Sequence, residues 1–302
     1  MTTPSRVQEE RIGRRTIEVT RPDKVLFPRD GITKGDLVDY YRRVSPVMVP
    51  HLKGRPLSME RFPEGISAQG FFQKQAGEHF PDWLTTASLA KQNGTVRHVI
   101  CNDAATLVYL AGQAVITPHT WLSRVVRPDF PDQLIFDLDP SKDDFETVCT
   151  AALNLRGVLR QNQLTPYVKT TGSRGLHVMI VLARKRDFSH VRAFAREVAD
   201  HLASDDPKHL TTEVRKEKRG GKIFLDTARN AYGQTAVAPY AVRPREGAPV
   251  ATPLAWAELE DPKLRSDRYT IRNIFSRLER DGDPWRGVYR HPDRLPTATH
   301  PK

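Results

Sequence analysis

The run Leu134-Ile135-Phe136-Asp137-Leu138-Asp139-Pro140 ends in two carboxylates two residues apart. On a strand, alternate side chains share a face, so Asp137 and Asp139 point one way while Leu138 turns to the core. Two acids on one face repel each other unless a cation lies between them. Hard oxygen donors of this kind suit Mg²⁺ or Mn²⁺. A third acid, Asp226, closes another short apolar strand in Phe224-Leu225-Asp226. Three strand-borne carboxylates that converge would meet the requirement of two-metal phosphoryl transfer. Taken alone, the Asp-x-Asp pair reads equally well as the cap of the next helix, and Asp226 as turn chemistry. The remainder of the chain decides between these readings.

The chain has 302 residues, enough for a large core. Hydrophobic content of 38% with 27% charged residues is that of a soluble globular protein. No apolar run reaches membrane-spanning length, and the start lacks the apolar stretch of a signal peptide. Two cysteines, Cys101 and Cys149, cannot form a disulfide framework or a cysteine-rich zinc site. These features predict a cytoplasmic protein with no membrane partner. The net charge of +11 favours a polyanion, nucleic acid first. Cations also recur beside glycines, in Lys53-Gly54-Arg55, Ser173-Arg174-Gly175 and the run Arg215 to Lys222. The last predicts a mobile hairpin loop reaching for phosphates.

The elements that must position the acids follow from patterning. Residues 1–20 read as a frayed arm ending in a strand, Thr16 to Val19. Thr33 predicts a helix cap before Leu37, Val38, Tyr41 and Val44. Lys24 and Lys34 flank that helix start, where amides and positive charge could hold a terminal phosphate. Phe71 and Phe72 are adjacent on a strand, so one ring would face a core and the other could stack on a base. Packing of both rings under loops fits the residues equally well. Helices are predicted over 103–114, 144–159, 191–202 and 271–278. Strands are predicted over 57–63, 95–101, 115–121, 166–171, 176–181, 211–215, 222–226 and 236–243. Gly172 to Gly175 joins two strands as a tight hairpin whose amides could approach an anion. This order is antiparallel-rich and predicts an α+β fold. It is read as a single domain, with an N-terminal layer over 1–115, a core over 116–288 and a disordered tail over 289–302.

Together these residues resemble the primase–polymerase domain of bacterial DNA ligase D and its stand-alone relatives, within the archaeo-eukaryotic primase superfamily. The resemblance spans nearly the whole chain. It is carried by Val25 to Pro28, Thr33-Lys34, Arg55 to Leu57, Gly70 to Lys74 and Pro118 to Trp121, then by Phe136 to Pro140, Gly175 to His177, Asp226 to Asn230, and Val237 to Tyr240 with Arg243. It implies a primase-like core on an RNA-recognition-motif-like antiparallel sheet, with an N-terminal α/β layer. It further implies a nucleotidyltransferase using NTPs or dNTPs and two divalent cations, Mn²⁺ or Mg²⁺. Asp137, Asp139 and Asp226 would be the metal ligands. His119, Thr171, Ser173, Arg174 and His177 would surround the triphosphate, with Arg229 and Arg243 neutralising its charge. Lys24 and Lys34 would grip a 5′-phosphate at a gap or break, and Phe71 and Phe72 would orient template bases. By the same resemblance, Ku and a DNA ligase are the expected partners in end joining or excision repair.

Two positions depart from the family pattern. Thr171 stands where Ser is common, and Arg174 where Lys is common. Hydroxyl and charge are kept, but an Arg fork binds phosphate bidentately, so nucleotide affinity or choice would differ. The chain has no room for attached ligase and nuclease domains, which predicts a separate protein or a piece of a longer one. Two other functions compete. A non-catalytic binder of 5′-phosphorylated ends would use the basic charge, Lys24, Lys34, Phe71 and Phe72, but leaves the three acids without a purpose. A haloacid-dehalogenase-type phosphohydrolase also opens on Asp-x-Asp. It wants Thr or Val two positions on, where this chain has Ser141, and gives His177 no role.

Overall fold

The computed structural model of the protein describes residues 7–296 except 92 and 143. The chain divides into two compact units. One comprises Met1–Trp121, Val237–Val250 and Tyr269–Arg280. The other comprises Leu122–Ala236, Ala251–Arg268 and Asp281–Lys302.

In the first unit, the segment expected as a frayed arm is a hairpin: β1 (Val7–Ile12) pairs antiparallel with β2 (Arg15–Thr20). Gly13 makes the turn at φ 61°, where a side chain would be strained. β3 (Val25–Phe27) and β4 (Ile32–Thr33) lead into α1 (Lys34–Leu52). Thr33 caps this helix as its sequence predicts. Its hydroxyl accepts the Asp36 N–H at 3.1 Å, and the Asp36 carboxylate accepts the Thr33 N–H at 2.8 Å. Leu37, Val38, Tyr41, Val44 and Met48 form its buried stripe. β5 (Leu57–Arg61) is followed by β6 (Phe71–Gln73), and β7 (Thr86–Lys91) pairs with β8 (Gly94–Val99). α2 (Ala104–Gly112), capped by Asp103, packs on α1. β9 (Val115–Trp121) pairs antiparallel with β5, whose other edge carries β6. Arg55, read from the sequence as one of the cations beside glycines, is fully buried. Its guanidinium donates to the His51 and Trp121 carbonyls, so it closes the corner between α1 and β9.

The second unit contains β10 (Gln133–Pro140), α3 (Phe145–Gln161), β11 (Pro166–Thr170), β12 (Leu176–Val181), α4 (Phe188–Asp205), β13 (Leu210–Thr211) and β14 (Ile223–Asp226). After β15 (Thr235–Val237), the chain returns to this unit with β16 (Pro253–Leu254). The last helix is α5 (Ile274–Asp281). The sheet order is β13-β14-β10-β12-β11-β16, antiparallel throughout except for β13 beside β14. The fold is thus mixed α+β, with five α-helices and several antiparallel sheets among the described residues. α3 and α4 pack on the six-stranded sheet.

Two expectations are corrected here. Parallel strands cannot be joined by a hairpin, so Arg215 to Lys222 is a crossing connection and not a hairpin loop. It contains a 3-10 turn over Lys216–Lys218, and Arg219 clasps it by donating to the Glu213 and Val214 carbonyls. The strand expected over 236–243 stops at Val237. Pro239 brings no N–H, and Tyr240 turns the backbone to φ 65°. Within the tail expected from residue 289, Asp293 bridges Leu182 and accepts the Thr165 N–H at 2.6 Å. Residues 297–302 lie outside the described residues.

One face of β10, with Leu134, Phe136 and Leu138, is fully buried. The other begins apolar at Ile135, which packs with Leu122, Met179, Val181, Phe188 and Trp285, and turns acidic at Asp137. Just before β14 takes up pairing, a side chain replaces the missing strand. Fully buried Asn230 accepts the Ile135 N–H at 2.9 Å and donates to the Ile135 and Thr227 carbonyls at 2.7 and 3.0 Å. Asn230→Ala should therefore strand two buried backbone groups of β10 and destabilise the protein by on the order of 2–3 kcal/mol. Urea unfolding checks this, and a change within error of zero would show that the bonds are replaced.

Candidate active site

Four adjacent strands each place one polar residue in a single row. Lys169 on β11 lies opposite His177 on β12, His177 opposite Asp137 on β10, and Asp137 opposite Asp226 on β14. Directly paired residues of antiparallel strands share a face. Asp139 stands on that face two residues beyond Asp137. The three acids that the sequence singles out are thereby brought to one side of one sheet.

The row is buried and its charges answer one another. His177 Nε2 stands 3.5 Å from one Asp137 oxygen, and Arg229 Nε 3.6 Å from the other. Burial alone would raise the Asp137 carboxyl, but His177, with Arg229 and Lys169 behind it, holds it down at about 2. For His177, burial and the Lys169 charge outweigh Asp137 and lower the imidazole to about 4. It is therefore neutral near pH 7. With Nε2 directed at Asp137, the proton is assigned there, and buried Nδ1 is an acceptor with no hydrogen-bond partner among the described residues. Asp226 is pushed the other way, its carboxyl raised by burial and by the Asp137 charge. Asp139 is half exposed between two guanidinium groups, Arg174 at 3.4 Å and Arg219 at 3.6 Å. Arg219 also lies over the Phe224 ring at 3.9 Å.

The turn between β11 and β12 is built by Thr171. Its hydroxyl accepts the Ser173 and Gly175 N–H groups and donates to the Gly175 carbonyl, which Ser266 also binds at 2.9 Å. Gly175 itself permits close approach: a Cβ there would sit 2.0 Å from the Leu138 carbonyl oxygen. Ser173 and Arg174 are thus carried on a rigid base, with Arg174 exposed at its tip.

The first unit holds the other expected residues. His119 on β9 meets Glu60 of β5 at 3.3 Å, and the Phe72 ring packs edge-on at 5.2 Å. Burial resists ionisation of Glu60, but His119 and Arg243 hold its carboxyl below the ordinary value. Phe71 and Phe72, of which one was expected to face a core, are both about half exposed, at 47% and 56%. β6 is an edge strand, which leaves both rings open to solvent. Lys24 pairs with Glu64 at 2.6 Å. Lys34 is buried at the first turn of α1, and burial together with Arg21 and Lys24 lowers its ammonium to about 8.

Four residues at these sites escape sequence reasoning. Arg219 is one cation among several in a basic run, and only the fold turns it toward Asp139. Lys169 carried a readable signal, a lysine inside an apolar strand. Glu60 and Ser266 carried none. Among the described residues, no three His, Cys, Asp or Glu side chains are drawn into a metal cage. The acids form a row with guanidinium counter-ions. Their donor chemistry nonetheless fits a hard divalent cation: three carboxylates stand on one face, with Asp226 raised by burial and by the Asp137 charge.

The family model for the LigD primase–polymerase domain matches residues 33–285. The chain is 36% identical over 270 residues to the multifunctional non-homologous end joining protein LigD of Mycolicibacterium smegmatis, covering 88% of this chain and 35% of that one. It is 30% identical over 284 residues to the bifunctional non-homologous end joining protein LigD of Bacillus subtilis, covering 93% of this chain and 46% of that one. The chain thus spans less than half the length of these relatives. Among solved structures, it is similar to the polymerase domain of Mycobacterium tuberculosis ligase D in complex with DNA. The TM-score is 0.86 and the identity 34%, covering 91% of this chain and 98% of that chain.

The corner of Arg21, Lys24 and Lys34 generates a pH prediction. A group lowered to about 8 is charged below that pH and neutral above it. The preference for a 5′-phosphorylated over a 5′-hydroxyl oligonucleotide should fall by up to about tenfold one pH unit above that value. Lys34→Arg should keep its preference throughout. Fluorescence anisotropy across pH reads both, and a wild-type preference that does not change would remove Lys34 from the contact.

Proposed function

The chain belongs to the LigD primase–polymerase family, and on that footing we propose that it is a metal-dependent nucleotidyltransferase extending nucleic acid from nucleoside triphosphates. The observation that carries this reading is the row Lys169–His177–Asp137–Asp226 with Asp139 beside it. Asp137, Asp139 and Asp226 would hold divalent cations, Mn²⁺ or Mg²⁺, which when bound activate the attacking 3′-hydroxyl and polarise the triphosphate.

The remaining chemistry belongs to side chains of this chain. Arg174 and Arg219, now counter-ions of Asp139, would exchange that carboxylate for phosphate oxygens of the leaving pyrophosphate. Arg229 does the same beside Asp137. Charge stabilisation of this kind is the main protein contribution to phosphoryl transfer. Ser173 and the amides of its turn would bind the same triphosphate, with Thr171 setting their geometry. Neutral His177 orients Asp137 through Nε2 and offers Nδ1 as an acceptor to the bound nucleotide. On the resemblance alone, His119 and Arg243 are assigned to the nucleotide as well.

Further roles rest on the first unit. Lys24 and Lys34 would bind a 5′-phosphate on the far side of a gap. The half-exposed Phe71 and Phe72 rings would stack on bases, a contact worth about 1–3 kcal/mol per base. Together these support gap filling and end processing in DNA break repair, with Ku and a ligase as partners. We also read the six-stranded sheet as the RNA-recognition-motif-like core of a primase superfamily fold.

Primer extension on a gapped duplex with a 5′-phosphate, in Mn²⁺ or Mg²⁺, tests the reading. Asp137→Ala should lower extension on the order of a thousandfold or more, about 4 kcal/mol of transition-state stabilisation, while DNA binding persists. Synthesis that survives in the variant would remove Asp137 from the metal site. Tight end binding with no metal-dependent synthesis by the wild type would leave a non-catalytic binder of 5′-phosphorylated ends.

A further inference from the structure

Beyond Asp139 the chain passes through Pro140 and Ser141 into a cleft of about 210 Å³ within the second unit. Three separate segments line it, and each contributes a lysine. Lys142 comes from the connection to α3, Lys208 from the turn after α4, and Lys222 from the entry to β14. None of the three has an ion-pair partner among the described residues. The acid in the cleft wall, Asp144, is occupied as the cap of α3. Its oxygens accept the Thr147 N–H at 3.0 Å and hydroxyl at 2.6 Å. His209, also in the wall, is bound to Asp206 at 2.8 Å.

The cleft is constructed and is not a surface accident. Ser141 donates to the Lys222 carbonyl at 2.6 Å and ties two walls together. Gly221, at φ 81°, leaves room for the Lys142 stem: a Cβ there would come within 2.6 Å of Lys142 Cε. Lysines from three segments bring positive charge to one space, which an entering polyanion would offset. No Phe, Tyr or Trp lines the cleft, and its one imidazole, His209, is held by Asp206, so the site suits phosphate and not a whole nucleotide. Lysine acts as a mobile point charge, as tracking a backbone requires. Lys142 lies three positions beyond Asp139, a backbone reach of at most about 10 Å. A strand with one phosphate per about 3.4 Å of axis would place its third phosphate or so there.

We propose that the Lys142–Lys208–Lys222 cleft holds backbone phosphates of the nucleic-acid strand whose 3′ end lies at the carboxylates, a few nucleotides behind that end. The inference rests on the catalytic reading above for the position of the 3′ end, and not for the binding itself.

The test uses the full chain and the triple variant Lys142→Ala, Lys208→Ala, Lys222→Ala. DNA affinity is measured against salt on a template bearing recessed 3′ strands of graded length. The slope of log affinity against log salt should become shallower by roughly 2 to 3 in the variant, near 0.9 per lost phosphate contact. The KM for nucleoside triphosphate should not change. The difference should vanish once the recessed strand is only about two nucleotides long, too short to reach the cleft at one phosphate per about 3.4 Å. The matching triple Lys→Arg variant should restore the slope, which separates lost charge from lost folding. An unchanged slope at every strand length overturns the proposal. So does a loss independent of recessed-strand length, or weakened binding of nucleoside triphosphate alone with DNA binding intact. Absence of metal-dependent extension by the wild type would defeat the catalytic reading, while the salt slope would still report whether the cleft takes phosphate.

Discussion

Placing charge inside a β-sheet is the constraint on which this protein turns. A carboxylate cannot be buried beside another carboxylate without a cation to answer it. The six-stranded sheet supplies that answer laterally. His177, Arg229 and Lys169 hold the Asp137 carboxyl low despite its burial, and Arg174 and Arg219 flank the half-exposed Asp139. Asp226, by contrast, is raised by burial and by the Asp137 charge. An arrangement with its own guanidinium counter-ions is poised to trade them for a metal and a polyphosphate, which bring opposite charges in near balance.

Much of the surrounding structure serves to hold that row in register. A slip of one residue along β10 would turn both acids to the buried face. The register is pinned on one side by Gly175, which alone lets β12 begin against the Leu138 carbonyl. On the other side it is pinned by Asn230, whose amide stands in for a strand beside Ile135. Thr171 organises the turn that carries Ser173 and Arg174 through its hydroxyl, bonded to turn backbone and 3.3 Å from the Ser266 hydroxyl. Its replacement of the more common Ser therefore keeps the hydroxyl these bonds need. The crossing connection before β14 is held by Arg219, the same residue that reaches Asp139, so loop shape and site electrostatics share one side chain.

The local features of the fold were legible in the sequence because they depend on near neighbours. Strand alternation placed Asp137 and Asp139 on one face, and Thr33 announced the start of α1. The strand over Val115–Trp121 and the hairpin around Gly172 to Gly175 were readable in the same way. The α+β class and the family resemblance followed from the order of these short motifs. What neighbours do not determine was misread. The Arg215 to Lys222 run looks like a hairpin loop until β13 is found parallel to β14. Arg55 reads as one more loop cation until the fold buries it against the His51 and Trp121 carbonyls. Val7 to Ile12 looks like an arm until β2 pairs with it.

By itself, then, the sequence determined the kinds of chemistry available: three acids on strand ends, a glycine-bounded basic turn, and an excess of positive charge. Periodicity and residue type are local properties, and they survive without knowledge of long-range contacts. Only the tertiary structure decided which charges answer which. Lys169, His177, Asp137 and Asp226 come from positions far apart in the chain and meet solely through strand register. Burial, which sets the ionisation of every member of that row, likewise arises only when the sheet has formed. Pairing and desolvation are collective, so neither is written in any short stretch of residues.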